Sequence, residues 1–179
     1  MKYVALLRGI NVGGNNAVKM SDLKVAFEKL GHTSVRTYIN SGNVVFESNE
    51  KSIAKLTKDL EEVISSTFTY EARVLVKSHP QMKVIVENVP EEWNTRTDIR
   101  CYVSFIMEPV QMEDAVKEVD LRDGIDFLKV GPGALYMTTM VSGLTKSAFN
   151  KLIGKKVYQD MTMRNYNTTK KILGLMEEM

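Results

Sequence analysis

The chain has 179 residues, of which 44% are hydrophobic and 26% charged, with a formal net charge of +2, the balance of an ordinary soluble globular protein. No apolar run approaches the roughly 20 residues of a membrane span, and the opening MKYVALLRG reads as a first strand rather than a secretory leader. One cysteine, Cys101, excludes an internal disulfide framework; with only two histidines, His32 and His79, no metal site or cofactor is expected, and the expected compartment is the cytoplasm.

In chain order, Lys2–Arg8 reads as a strand that is apolar on both faces and so expects cover on both. Ser21 is placed to cap a helix from Asp22 to about Leu30, with Leu23, Phe27 and Leu30 at helical spacing and Gly31 ending it. Val35–Ile39 and Asn43–Glu47 are strands joined by a turn at Asn40-Ser41-Gly42. A helix follows from about Glu50 to Phe68, with Ile53, Leu56, Leu60, Val63 and Ile64 on one stripe, and then a strand at Ala72–Val76. The order βαββαβ is that of the ferredoxin-like unit.

A short helix starts near Ser78, where Ser78 and Gln81 have capping-box spacing. Val89–Asp98, with Pro90 and Trp93, is irregular. Cys101–Met107 reads as a strand and Gln111–Val119 as a helix. Phe127–Val130 and Ala134–Thr139 flank Gly131-Pro132-Gly133, a hairpin signal. Ser147–Leu152 reads as helical, Gln159–Met163 as a short strand and Thr168–Met176 as a last helix. The expected fold class is therefore α+β: two ferredoxin-like βαββαβ units over residues 1–77 and 101–163, a connecting helix and loop over 78–100, and a C-terminal helix within 164–179. The duplication is one of element order alone, and the two sheets are expected to join or pack together.

The segment Leu6-Leu7-Arg8-Gly9-Ile10-Asn11-Val12-Gly13-Gly14-Asn15-Asn16 raises the question of chemistry. Gly9 and Gly14 have the spacing of a phosphate-binding P-loop, but Asn15 and Asn16 stand where the lysine and the hydroxyl should be. The glycines also miss the Rossmann fingerprint. A plain turn is one reading, since Gly and Asn tolerate left-handed backbone. In a ferredoxin-like sheet, however, the first and third strands are antiparallel neighbours. Arg8, Asn11, Gly13, Gly14, Asn40, Ser41 and Asn43 should then meet at one sheet edge, with a guanidinium and accessible backbone N–H groups suited to an anion. A second cluster, Arg164, Asn165 and Asn167, lies at the start of the last helix, where Asn167 would cap and the helix end favours negative charge. Net charge by segment is +3 over 1–80, −5 over 81–144 and +4 over 145–179; this reads first as a mixed solvated surface, with an anionic partner as the other reading of the basic ends.

These two clusters, with Tyr38-Ile39-Asn40-Ser41-Gly42-Asn43-Val44-Val45-Phe46, resemble the bacterial family of domain of unknown function 1697 over essentially the whole chain. The resemblance implies a duplicated α/β fold and a cytoplasmic protein, and brings no established activity. Members of that family usually carry Trp where this chain has Tyr166, and often Lys or His where it has Asn15.

The favoured function is binding of a small anionic ligand, such as a nucleotide or phosphometabolite, by a monomer or weak homodimer with no membrane partner. A single-stranded nucleic-acid module is the alternative, but the third-strand positions that should carry stacking rings are Asn43 and Val45, leaving only Tyr3. An enzyme of unknown reaction would act by charge stabilisation through Arg8 and Arg164. His32 and His79 read as exposed or capping, Cys101 as a buried structural thiol, and Arg96-Thr97-Asp98 with Arg100 as a surface cluster. The neighbouring carboxylates Glu61-Glu62 and Glu177-Glu178 diverge on their helices. Eleven methionines read mainly as core filler, with a partner surface as the other use.

Overall fold

The structure, a computed structural model, describes residues 1–11 and 16–179. The fold is mixed α+β with two separate four-stranded antiparallel sheets. Their strands are β1 (Lys2–Leu7), β2 (Thr33–Tyr38), β3 (Asn43–Glu47), β4 (Val74–Ser78), β5 (Ile99–Ile106), β6 (Asp126–Gly131), β7 (Ala134–Met140) and β8 (Met161–Asn165). The helices are α1 (Met20–Lys29), α2 (Ile53–Phe68), α3 (His79–Glu87), α4 (Met112–Lys117) and α5 (Tyr166–Glu177). The strand orders are β2-β3-β1-β4 and β6-β7-β5-β8. Two units are distinguished: residues 1–82 with 171–179, and residues 83–170. Among the described residues no helix is long and apolar enough to cross a membrane.

In the first unit, alternation along the strands decides which side chains meet the helices. Tyr3, Ala5 and Leu7 of β1, Val44 and Phe46 of β3, and Val74 and Val76 of β4 share a core with Leu23 and Phe27 of α1 and Leu56, Leu60 and Ile64 of α2. Each Val, Leu, Ile or Phe side chain among them, fully removed from water, contributes about 1.5–3 kcal/mol. The intervening Val4, Leu6 and Val45 are buried as well, so both faces of this sheet are covered. At the end of α5, Lys2 Nζ donates to the Glu177 carbonyl at 3.4 Å, and Arg36 pairs with Glu178 at 3.6 Å.

Several element boundaries depart from the sequence reading for local reasons. Helix α1 begins at Met20, with Lys19 rather than Ser21 at the N-cap; Met20 packs on the core, and the Ser21 hydroxyl turns to the Asp22 carboxylate. Helix α2 is capped by Ser52, which accepts from Lys55 N–H, while Glu50 stays outside and accepts from the N–H groups of Lys51 and Ser52. The capping-box spacing at α3 is used, with Gln81 Oε1 accepting from Ser78 N–H at 2.9 Å. In the second unit the segment read as a helix from Ser147 is a 3₁₀ turn, Ala148–Gly154. The buried Asp126 carboxylate imposes it, accepting from Ser147 Oγ (2.6 Å), Ala148 N–H (2.7 Å), Thr139 Oγ1 (3.1 Å) and Arg122 N–H (3.1 Å). Four donors replace the water that a buried carboxylate gives up.

His32 is not exposed, as its sequence position implies, but 9% accessible. Its imidazole lies 4.7 Å from the Phe46 ring and 6.2 Å from that of Phe27, with Nε2 buried and unpartnered. Burial lowers its pKa, Asp59 opposes that shift and Lys55 reinforces it. The folded state therefore holds the neutral ring, and the unfolded chain takes up the proton first. Stability from this group is complete above the ordinary histidine range and is lost as pH falls through it. Urea midpoints measured between pH 8 and about pH 5 should fall with acidification, and His32→Phe should flatten that slope; an unchanged slope in the variant would contradict the assignment.

Candidate functional site

In the first unit, β1 pairs antiparallel with β3, with Leu6 opposite Asn43, so the end of one strand does meet the turn that precedes the other. The amide groups there serve the chain itself. Asn11, in left-handed backbone, donates through Nδ2 to the carbonyls of Val18 and Asn40, both at 2.9 Å, and accepts from Val18 N–H at 2.8 Å. Asn43 is wholly buried and donates to the Tyr38 carbonyl and Ser41 Oγ, both at 3.0 Å. Leu7 N–H donates to the Gly42 carbonyl at 2.8 Å, and Arg8 N–H to that of Arg73 at 3.0 Å. The Arg8 residue is half-buried. Gly13 and Gly14 lie outside the described residues.

Gly42 explains why the turn needs a glycine. Its φ is +75°, and a Cβ there would stand 2.7 Å from Leu7 Cβ and 2.8 Å from Ile10 Cδ1. The loop after β1 thus rests directly on the backbone of the turn before β3, and the Asn11 amide bolts the two together.

The second cluster is more open. Helix α5 starts at Tyr166, two residues before the sequence reading, because Asn165 rather than Asn167 supplies the cap: Asn165 Oδ1 accepts from Asn167 N–H at 2.9 Å. Arg164 does not reach solvent. It is 8% accessible, and its Nη1 donates to Thr162 Oγ1 and the Met163 carbonyl at 3.0 and 2.9 Å. Desolvation brings its pKa down to about 10. Asn165 and Asn167 are exposed and line a cleft of about 500 Å³ together with Trp93, Asn94, Arg96, Thr97, Ile99, Arg100, Cys101, Tyr166 and Lys170.

That lining holds three cations and no carboxylate. Arg96 is neutralised by a two-point bridge to Asp98 at 2.9 and 2.6 Å, as a surface cluster would be. Arg100 and Lys170 have no ion-pair partner among the described residues. Lys170 Nζ stands 4.5 Å above the Tyr166 ring; that ring is 5.1 Å from Trp93, and Tyr166 Oη donates to Asn94 Oδ1 at 3.0 Å. Trp93 is anchored in turn, donating from Nε1 to Thr138 Oγ1 at 2.7 Å. The Cys101 thiol, half-buried rather than buried, is pushed up to about 11 by burial, with Glu92 adding to the shift and Arg100, Arg96 and Lys170 opposing it. Burial thus favours the protonated thiol over the thiolate.

Sequence reasoning missed Arg100, Lys170, Asn94 and Tyr166 as partners. The available signal was the i,i+4 spacing of Tyr166 and Lys170. For base stacking the third-strand positions offer nothing, since Asn43 and Val45 are buried, and Tyr3 is a core ring stacked 5.7 Å from Phe46 with its hydroxyl donating to the Glu50 carbonyl. Among the described residues no group of three or more His, Cys, Asp or Glu side chains could hold a metal.

The family described as "Protein of unknown function (DUF1697)" matches residues 1–136, and the chain belongs to that family. The match ends before the Arg164–Thr168 segment. Among solved structures, the conserved bacterial protein SP0830 from Streptococcus pneumoniae is similar at 29% identity over 98% of each chain, with a TM-score of 0.86. No curated protein matches the chain.

The close approach at Gly42 has a measurable cost if disturbed. Gly42→Ala should lower stability by about 2 kcal/mol or more through positive-φ strain and overpacking, and Asn43→Ala by about 1–3 kcal/mol through unpaired buried groups. Denaturant unfolding reads both, and wild-type midpoints would show that the loop and turn are not coupled.

Proposed function

With that family membership as premise, we propose that the second unit binds a small anion, a phosphate- or carboxylate-bearing metabolite such as a nucleotide, in the cleft at the start of α5. The observation that carries this is the lining: it holds no carboxylate, and Arg100 and Lys170 have no ion-pair partner among the described residues, whereas Arg96 has Asp98. Two cations over a half-buried floor attract an anion more strongly than the same groups fully in water. The exposed amide of Asn167 adds a donor, and Asn165 caps the helix whose positive end favours negative charge. Arg164 is read as a positioning residue beneath this rim. The Asn11, Ser41 and Asn43 contacts of the first unit are read as a clamp between loop and turn, with Arg8 and Asn40 marking the second place to look for an anion.

The same reading takes each unit as a ferredoxin-like βαββαβ repeat. The supporting observation is the shared strand order, first and third strands central and adjacent, second and fourth at the edges.

Calorimetric titration with orthophosphate, nucleoside phosphates, sugar phosphates and dicarboxylates should find at least one ligand whose affinity falls as salt rises. Loss of one charge-assisted contact is worth about 1.5–3 kcal/mol, so Arg100→Ala or Lys170→Ala should weaken it roughly ten- to a hundredfold. Arg8→Ala should leave it unchanged. No binding by folded protein across the panel, or equal affinity in the Arg100→Ala/Lys170→Ala double variant, would remove the cleft from consideration.

A further inference from the structure

We propose that the chain self-associates through β6, the outer strand of the second sheet, which pairs antiparallel with β6 of a second copy about a two-fold axis through Leu128. The case begins with the hydrogen-bonding parity of the strand. Among the described residues, strand β6 pairs only with β7. Met140 N–H donates to the Ile125 carbonyl, so Ile125 is a hydrogen-bonded position of that antiparallel ladder, and Phe127, Lys129 and Gly131 follow by alternation. The main-chain groups of Asp126, Leu128 and Val130 therefore point away from β7. Asp126 N–H is taken by the Arg122 carbonyl at 2.9 Å. The outward N–H groups of Leu128 and Val130 have no partner among the described residues.

An unpaired strand edge is normally blunted by a bulge, a proline or an outward lysine. The edge of the other sheet is treated this way: β2 has a register shift between Thr33 and Arg36 and a positive φ at Ser34. β6 has no bulge and no proline, and its register with β7 is unbroken from Asp126 to Gly131. Its one lysine, Lys129, is folded back, with Nζ 3.0 Å from the Asn88 carbonyl and 5.9 Å from the Tyr136 ring. Two of its apolar side chains remain in water, Phe127 at 50% and Val130 at 54% accessibility.

The strand is complementary to itself in one register. With Leu128 opposite Leu128, its N–H and C=O bond their counterparts in both directions, and Val130 N–H meets the free Asp126 carbonyl twice, giving four main-chain bonds about the axis. No donor is asked to serve twice, since Asp126 N–H is already used. Side-chain parity then sets Phe127 opposite Lys129 of the other copy, on one face of the joined sheet. On that face Phe127, Pro90, Tyr136 and Lys129 line a groove of about 320 Å³ with Glu91 and Glu92. The second copy's lysine arrives beside these two carboxylates, which provides the charge complementarity that selects a second copy over an arbitrary strand. A short strand pair buries less than a standard interface, so the dimer is weak and reversible.

Sedimentation equilibrium from about 10 µM to 1 mM should show a reversible monomer–dimer mixture. Val130→Pro removes an outward donor without touching the β7 ladder, and should give a monomer with unchanged thermal unfolding. Lys129→Glu sets like charges against Glu91 and Glu92 and should weaken association at least tenfold; it decides the matter if Val130→Pro fails to fold. A chain that stays monomeric throughout, or a dimer indifferent to both substitutions, would overturn the proposal.

Discussion

A polar group that leaves water on folding without a partner is costly, and this penalty explains why so many polar residues of the chain are spent on holding it together. Asn11 and Asn43 are of this kind, their carboxamides bonded to main-chain groups or to Ser41. Asp126 is another, a buried carboxylate replacing its hydration with two hydroxyls and two N–H groups. The indole N–H of Trp93, closed on Thr138, is a third. Each fixes a segment with little regular hydrogen bonding of its own.

Arg100 and Lys170 line a cleft without carboxylates, and neither is in an ion pair among the described residues. The floor beneath them is rigid for reasons already required by packing: Trp93, Tyr166 and Asn94 are joined by ring contact and a hydrogen bond. Arg164 is not part of that lining; its guanidinium is held by Thr162 and the Met163 carbonyl where burial disfavours its charge. On the proposed reading, a floor already ordered by packing suits anion capture, because little further ordering is required on binding.

Much of this was legible in the sequence. The apolar run Lys2–Arg8 and the Asn40-Ser41-Gly42 turn point to the strands, and the pairing of β1 with β3 sets Leu6 opposite Asn43, which brings the end of one strand to the turn before the other. What the sequence could not tell was whether the amides there would be open, since that depends on which carbonyls a folded loop leaves within 3 Å. His32, whose sequence position implies exposure, lies inside for a related reason: its ring is amphipathic, and only the packing of Phe27 and Phe46 decides where it goes. The start of α5 was set too late because two asparagines compete for the cap, and the one that wins is the last residue of β8. Arg100 and Lys170 are far apart in the chain, and nothing local to either marks it as a neighbour of the other.

The thiol of Cys101 lies in the lining of this cleft and is the sole cysteine, which makes it a reporter that needs no engineering. An anion held by Arg100 and Lys170 would shield the sulfur and, by adding negative potential, hold its proton more firmly. The most direct measurement is the rate of Cys101 alkylation by iodoacetamide at fixed alkaline pH and ionic strength, with and without a nucleoside phosphate. The account predicts a saturable fall in rate that is lost in Arg100→Ala/Lys170→Ala; a rate indifferent to every anion tried would contradict it.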